Sequence, residues 1–456
     1  MFADNAEPSE GAAPPGGGEL IRGPWTPTRR LSSWPPPSLS QALAQKGAPT
    51  GSTTFVARQP IYDVAMDVHA YELLFRSEAD DGAAGATNGS DTDSANAIVA
   101  TFADIGLESL IGSTRAALNV SGPFVLRHDL AELLPPERVT LDVARNAMGD
   151  EAAVYELGRL ARLGFEIAIE DYTADEHGRK LLGIAQIAKL DARTRTRDEM
   201  AVLITALHEA GVRVAVDHLD DQAAYEFCRS AGADLFQGEF FCHPKTITGR
   251  GVPTNRLAQL ELLAAVENPA CEIEDLDAII SRDLSLSYRL LRWINSAYFS
   301  LPRTVTSVRE AVVLLGLRAV RNWATLITLA HIDDQPSELV RTAMTRAKMA
   351  ELVALGLGER DTEAYFTVGL FSALDALMNA RMEDLLDSLP LGEDVRSALL
   401  RREGPMGDAL SWVMAYERGR FETLGGRSPA DGMLRDAYLR AIAWADETCS
   451  AVQLAA

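Results

Sequence analysis

Cysteine and histidine are scarce in this chain, with four cysteines and seven histidines among 456 residues. Cys228, Cys242, Cys271 and Cys449 stand far apart with no CxxC pair, which leaves neither a zinc site nor a disulfide framework and fits a reducing compartment. Positive charge is short as well. Lys and Arg total 43 against 65 Asp and Glu, a formal net charge of −22. Holding nucleic acid or docking on an anionic bilayer needs the opposite balance, because both depend on Lys and Arg meeting phosphate. No run reaches the ~18 consecutive apolar residues of a membrane span. The opening MFADNAEPSEG lacks the charged-then-apolar order of a secretory leader. No GxGxxG opens a helix after a strand, so a Rossmann sheet is not expected. These absences point to a cytoplasmic protein that engages neither nucleic acid nor membrane.

What the first half does contain is one device used repeatedly: an apolar, β-branched stretch that runs into a carboxylate, an amide or a lysine. It occurs in AYELLFR at Glu72, RAALNVS at Asn119, VTLDV at Asp142, FEIAIED at Glu170 and Asp171, QIAKLD at Lys189, VRVAVD at Asp217 and DLFQG at Gln237. Segments of helical period separate most of these, and several of them stop at a glycine (Gly164, Gly211, Gly232). Parallel strands that alternate with helices all point one way, so their polar tips converge on the C-terminal face of a (β/α) barrel. Carboxylates, an amide and a lysine in one pocket suit a divalent cation and a phosphate ester.

Three regions are expected. Residues 1–52, with PPGGG and WPPPS, have the composition of a disordered tail. Residues 53–248 read as a TIM-like barrel, with FVARQPIY and VHAYELLFR forming a hairpin before the parallel part. KTITGRGVPTN reads as a linker, and residues 249–456 keep helical period throughout, as in LLRWINSAYF, SVREAVVLLGL and RAVRNWATLITLAHI.

These residues carry a family resemblance. Glu72, Leu74 and Arg76 match the Glu-x-Leu-x-Arg signature of the EAL family, whose barrel hydrolyses cyclic di-GMP, and the helical half resembles the HDOD family, a bundle related to HD phosphohydrolases. The resemblance implies metal ligands at Glu72, Asn119, Asp142, Glu170 and Asp171. It implies ligand contacts at Glu72, Leu74, Arg76 and Gln237, and catalytic roles at Lys189 and at Asp217 as general base. Mg²⁺ or Mn²⁺ would be the cofactor of an active site of this type, and a homodimer formed through the barrel is a further implication.

Three acidic arms depart in length from that pattern: Asp142 and Asp217 stand where it has Glu, and Glu170 stands where it has Asp. Each change moves a carboxylate by about 1.5 Å, and Mg²⁺ requires near-octahedral ligands at about 2.0–2.1 Å. The glycine-bearing loop after the acidic pair is replaced by Tyr172–Thr173–Ala174–Asp175, which brings another negative charge. The expectation is therefore a pocket that no longer turns over and needs no cofactor. The protein is then a non-catalytic signalling regulator that acts through protein–protein contacts and senses cyclic di-GMP. The alternative is a metal-dependent cyclic di-GMP phosphodiesterase of reduced activity.

In the helical half, an HD hydrolase would need an adjacent His–Asp pair and further histidines. The place expected to carry the pair has Phe371–Ser372, and one histidine, His331, is present in this half. A hydrolase is not expected there. Trp293, Tyr298, Phe299 and Trp323 fit a core, while Arg289, Arg292, Arg318 and Arg321 could present a face to other signalling proteins.

Overall fold

The computed structural model describes residues 54–77, 106–144, 150–243, 256–268, 270–295, 304–330, 332, 335–421, 429 and 431–455. The expected tail, the linker at 244–253, the aromatic pair at 298–299 and His331 lie outside these residues.

Eight strands close into a barrel in chain order: β1 (Thr54–Asp63), β2 (Val68–Ser77), β3 (Arg115–Val120), β4 (Val139–Val143), β5 (Glu166–Ile169), β6 (Ile187–Asp191), β7 (Arg213–Asp217) and β8 (Leu235–Gln237). β2 to β8 pair in parallel, whereas β1 is antiparallel to both β2 and β8. The hairpin expected ahead of the barrel is thus part of its wall, and β1 is the stave that closes it. Asp63 reverses the chain between β1 and β2, its Oδ1 accepting from the N–H groups of Ala65 (2.8 Å) and Asp67 (3.0 Å).

Successive side chains of a strand face opposite ways, and this parity builds the site. Ile61, Ala70, Ala117, Ala168, Ile187, Ala215 and Leu235 form one buried cluster in the lumen. Two residues further along the parallel strands come Glu72, Asn119, Glu170, Lys189, Asp217 and Gln237; Asp142 stands two on from the buried Thr140. The opposite parity, including Leu73, Leu118, Leu141, Ile167, Leu190 and Val214, packs outward against Leu157, Leu160, Ile204 and Leu207 of the surrounding helices.

β1 and β2 have ten residues each, against six in β3 and three in β8. β3 follows β2 only as far as Leu73 opposite Leu118, and β8 meets β1 only from Ile61 to Asp63. The paired stretch from Ala57–Leu74 to Thr54–Ser77 therefore rises past the rim as a two-stranded flap.

From Leu257 to Ala455 every element among the described residues is a helix. Trp293 is buried in this core with its ring 4.8 Å from that of Trp323. Arg321 donates to the carbonyl of Cys271 (3.4 Å), and Arg289 is half-buried. Of the four expected surface arginines, Arg292 is exposed, and the side chain of Arg318 lies outside the described residues.

The helical part grips the flap. Ala57 of β1 belongs to one buried cluster with Met349, Val353, Val413, Tyr416, Leu434 and Tyr438. Beside it, the buried Arg58 guanidinium lies 3.3 Å from Asp446, its backbone N–H donates to Tyr438 Oη (3.1 Å), and its charge sits 4.4 Å over the Tyr71 ring. Arg341 pairs with both Asp446 and Glu338, and Tyr71 Oη donates to Glu338 (2.8 Å). Each member shares its partner with another, and Arg58 and Glu338 are buried, so this network of charge helps specify how the two halves meet.

Candidate cation and ligand site in the barrel mouth

Glu72 is the hub of the lumen. Its Oε1 accepts from Asn119 Nδ2 (2.9 Å), and its Oε2 accepts from Gln237 Nε2 (2.6 Å) and Lys189 Nζ (3.3 Å). Lys189 also donates to Asp142 Oδ2 at 2.7 Å. Burial alone would raise the Glu72 carboxyl; Lys189 and the two amide hydrogen bonds outweigh it and hold the group below its ordinary value. Burial likewise opposes charge on Lys189, and Asp142, Glu72 and Glu170 more than offset that, so the ammonium stays charged.

The remaining carboxyls are less well served. Burial pushes Asp142 up to about 6 in spite of Lys189. Glu170 rises to about 8, first through burial and then through the repulsion of Asp142. Glu72, Asp142 and Glu170 can each offer an oxygen within 4.8 Å of the others. Asn119 Oδ1 and Gln237 Oε1 are buried with no hydrogen-bond partner. Hard divalent cations take such carboxylate and amide oxygens, and an added positive charge would relieve the repulsion at Glu170. The residues present fit a cation held by Glu72, Asn119, Asp142 and Glu170.

Two acidic side chains of the following loop stand apart from this cluster. Asp171 is exposed, with a left-handed backbone (φ 45), and is not one of the three clustered carboxylates. The negative charge of Asp175 is engaged locally rather than spread over the pocket: Oδ1 caps the helix Glu176–Leu181 by accepting from Gly178 N–H (2.8 Å), and Oδ2 accepts from Thr173 (2.8 Å). A carboxylate at a helix N-terminus is partly offset by the helix dipole. The altered lengths at 142 and 170 also act against each other, since the shorter arm on β4 and the longer arm just past β5 still bring their oxygens together.

Asp217 lies in different company. Its Oδ1 is 3.2 Å from Nδ1 of His218, whose pKa is raised chiefly by that contact. His218 has a left-handed backbone (φ 54) and also lies 3.6 Å from Asp191, which is bracketed by Arg193 (2.8 Å). Asp191, Asp217 and His218 form a second group whose ligand atoms lie within 4.8 Å. Sequence reading missed His218 and Arg193; both adjoin the quoted strand ends, and neither belongs to the quoted signatures. Lys189 pairs with Asp142 and Glu72.

Gln237 is held by its backbone. Its carbonyl accepts from Leu219 N–H (3.0 Å), and Phe240 N–H donates to the Leu219 carbonyl (2.9 Å). Gly238 lies between them at φ 152, where a Cβ would run into the Leu219 backbone. Leu74 stands on the flap against the helical part, and the side chain of Arg76 lies outside the described residues.

In the helical half, the place considered for a His–Asp pair is filled otherwise. Phe371 is fully buried, and Ser372 Oγ donates to the Gly369 carbonyl (2.7 Å). Beside Ser372 the buried Arg346 makes a bidentate pair with Glu417 (2.7 and 2.8 Å). No helix among the described residues is long and apolar enough to cross a membrane.

Comparison with known proteins agrees with this layout. YuxH of Bacillus subtilis is 27% identical over 402 residues, covering 86% of this chain and 97% of its own. The cyclic di-GMP phosphodiesterase CdgJ of Vibrio cholerae is 28% identical over 393 residues, covering 85% of this chain and 90% of its own. The crystal structure of the FimX EAL domain from Pseudomonas aeruginosa bound to c-di-GMP aligns with 44% of this chain and 93% of its own, at 19% identity and a TM-score of 0.35. Residues 44–244 match the EAL domain and residues 252–389 the HDOD domain, so the chain belongs to the proteins that join an EAL barrel to an HDOD helical domain.

Proposed function

We propose that this protein is a regulator in cyclic di-GMP signalling whose barrel takes up the dinucleotide without efficient hydrolysis. Its helical domain then carries the contacts to other signalling proteins. The relationship to CdgJ, which extends over both domains, supports the ligand class. The observation that supports the non-catalytic reading is the short carboxylate at Asp217 set 3.2 Å from the His218 imidazole, a charge contact with no hydrogen bond to Oδ1. A general base needs a free oxygen within reach of the water it deprotonates. Here the arm is a methylene shorter than the family's glutamate, and a nearby imidazole favours its charged, less basic form.

In this reading Glu72, Asn119, Asp142 and Glu170 would hold Mg²⁺ or Mn²⁺, which would supply positive charge to a phosphate oxygen. Lys189 holds Asp142 and Glu72 in place. Gln237 aligns Glu72 by its hydrogen bond and leaves an unpartnered Oε1 in the lumen.

The second reading is a cyclic di-GMP phosphodiesterase. It is favoured by the convergence of three carboxylates despite their altered lengths, and by the activity named for CdgJ. Calorimetric titration with cyclic di-GMP, with and without Mg²⁺ or Mn²⁺, followed by chromatography of the nucleotide, separates the two. Heat without linear product is the expected result. Metal-dependent linear product that disappears in Glu72→Ala establishes the enzyme instead. Neither heat nor product removes the ligand from both readings.

A further inference from the structure

We propose that the turn Arg418–Gly419 of the helical domain is a wall of the barrel's ligand site, and that loosening it opens the subsite at Leu74. This rests on the reading of the barrel as a cyclic di-GMP site. Leu74 lies on the lumen parity of β2, two residues past Glu72, on the flap that rises above the rim. The helix Gly404–Glu417 ends directly over it. Gly419 N–H donates to the Tyr416 carbonyl (3.0 Å) and Arg420 N–H to that of Ala415 (2.9 Å), with Gly419 left-handed at φ 66. A Cβ on Gly419 would come within 2.6 Å of Leu74 Cδ1, so this backbone lies against the leucine side chain.

Two polar contacts latch the turn to the other side of the mouth. Arg418 Nε lies 2.6 Å from Glu239 Oε1, two residues past Gln237. The Arg418 carbonyl accepts from Gln59 Nε2 (3.4 Å), and Gln59 Oε1 accepts from Gln237 Nε2 (3.4 Å). Gln237 in turn donates to Glu72. A continuous line of hydrogen bonds thus runs from the carboxylate hub to the end of one helix in the other domain. The turn covers the β8–β1–β2 sector, and a dinucleotide seated on Leu74 has to displace it.

The rest of the interface does not depend on this latch. Arg58 with Asp446, and Arg346 with Cys242 Sγ (3.7 Å), join the helical domain to the barrel at other points. The turn can therefore loosen while the domains stay joined. A protein partner that shifts the Gly404–Glu417 helix would alter dinucleotide affinity, and the dinucleotide would alter partner affinity by the same factor.

The test uses the full chain and two readouts. The first is the rate at which a thiol reagent labels Leu74→Cys, read by mass spectrometry on the peptide that carries it, with Arg418 intact and as Arg418→Ala. The latch predicts about fivefold faster labelling when it is broken, the upper end for an ion pair of partial exposure. Unchanged labelling overturns the wall, whatever the ligand does. The second is cyclic di-GMP affinity in Arg418→Ala and Glu239→Ala, which break one pair while changing net charge in opposite directions. Tighter binding in both supports the wall; a rise in Glu239→Ala with a fall in Arg418→Ala means charge alone and overturns it. Faster labelling with no heat in any variant keeps the wall and removes the proposed ligand.

Discussion

Lys189 and Asp142 form a buried ion pair, Nζ to Oδ2 2.7 Å, inside the barrel and not at its rim. Both side chains are almost wholly removed from water, so the pair is a structural element as much as a chemical one. Taking away one buried partner typically costs about 3–5 kcal/mol, because the other charge stays behind. Lys189→Met should therefore destabilise the chain by roughly that amount, read by urea unfolding. A variant as stable as the wild type would show that Asp142 and Glu72 do not depend on the lysine.

The carboxyls around that pair set a pH dependence. Glu170 rises to about 8 and Asp142 to about 6, both above the ordinary carboxylate range. The folded chain then binds protons that the unfolded chain has released, so stability is greatest below the unfolded value and falls as pH climbs through the folded one. In metal-free buffer the melting temperature should drop between about pH 5 and pH 8 from this source. Glu170→Gln should melt a few degrees higher than the wild type at pH 8, about what 1 kcal/mol gives, with little difference at pH 5. Added Mg²⁺ or Mn²⁺ should narrow the gap at pH 8.

The proposed reading makes His218 a brake on Asp217, and removing the imidazole tests it. Asn tolerates the left-handed backbone that His218 occupies, so His218→Asn removes the imidazole with little strain. Hydrolysis of cyclic di-GMP in Mn²⁺ should then rise by about tenfold, the lower end of what a positioned base contributes being about a hundredfold. Chromatography of the linear product reads it directly, and an unchanged rate would show that the brake lies elsewhere.

Gly238→Ala tests the joint between Gln237 and the 217–219 loop. Its φ of 152 and the Leu219 backbone at the Cβ position leave no room for a methyl group. A loss of about 2–4 kcal/mol is expected from clash and strain together, measured by chemical unfolding. Weakened ligand binding should accompany it, because Gln237 hangs from the same backbone.

Arg346→Ala should destabilise the helical domain by about 3–5 kcal/mol through the stranded Glu417. The double change Arg346→Met with Glu417→Leu should recover much of this, since two apolar side chains replace a pair without leaving a charge. Thermal unfolding of the single and double variants makes the comparison.

Much of the site was legible because parity is local. Glu72, Asn119, Asp142, Glu170, Lys189, Asp217 and Gln237 each stand two residues on from a small or apolar lumen residue, and that spacing can be counted along the chain. Asp171 shows the limit of this reading. Both it and Glu170 follow the end of β5, and the left-handed backbone at Asp171 turns its side chain out to solvent. Asp175 shows another limit: its charge was readable, while its use as a helix cap depended on where the next helix began.

The sequence by itself determined the barrel, the helical second half, the ring of polar lumen residues and the missing His–Asp pair, because period, parity and residue type are properties of neighbours along the chain. Tertiary structure alone decided that Lys189 serves Asp142, that arms of altered length on β4 and just past β5 still meet, and that Gly419 rests on Leu74. Those depend on strand register around a closed ring and on the seating of a domain more than 300 residues away. Distances of that kind are set by the packing of the whole, and no local pattern encodes them.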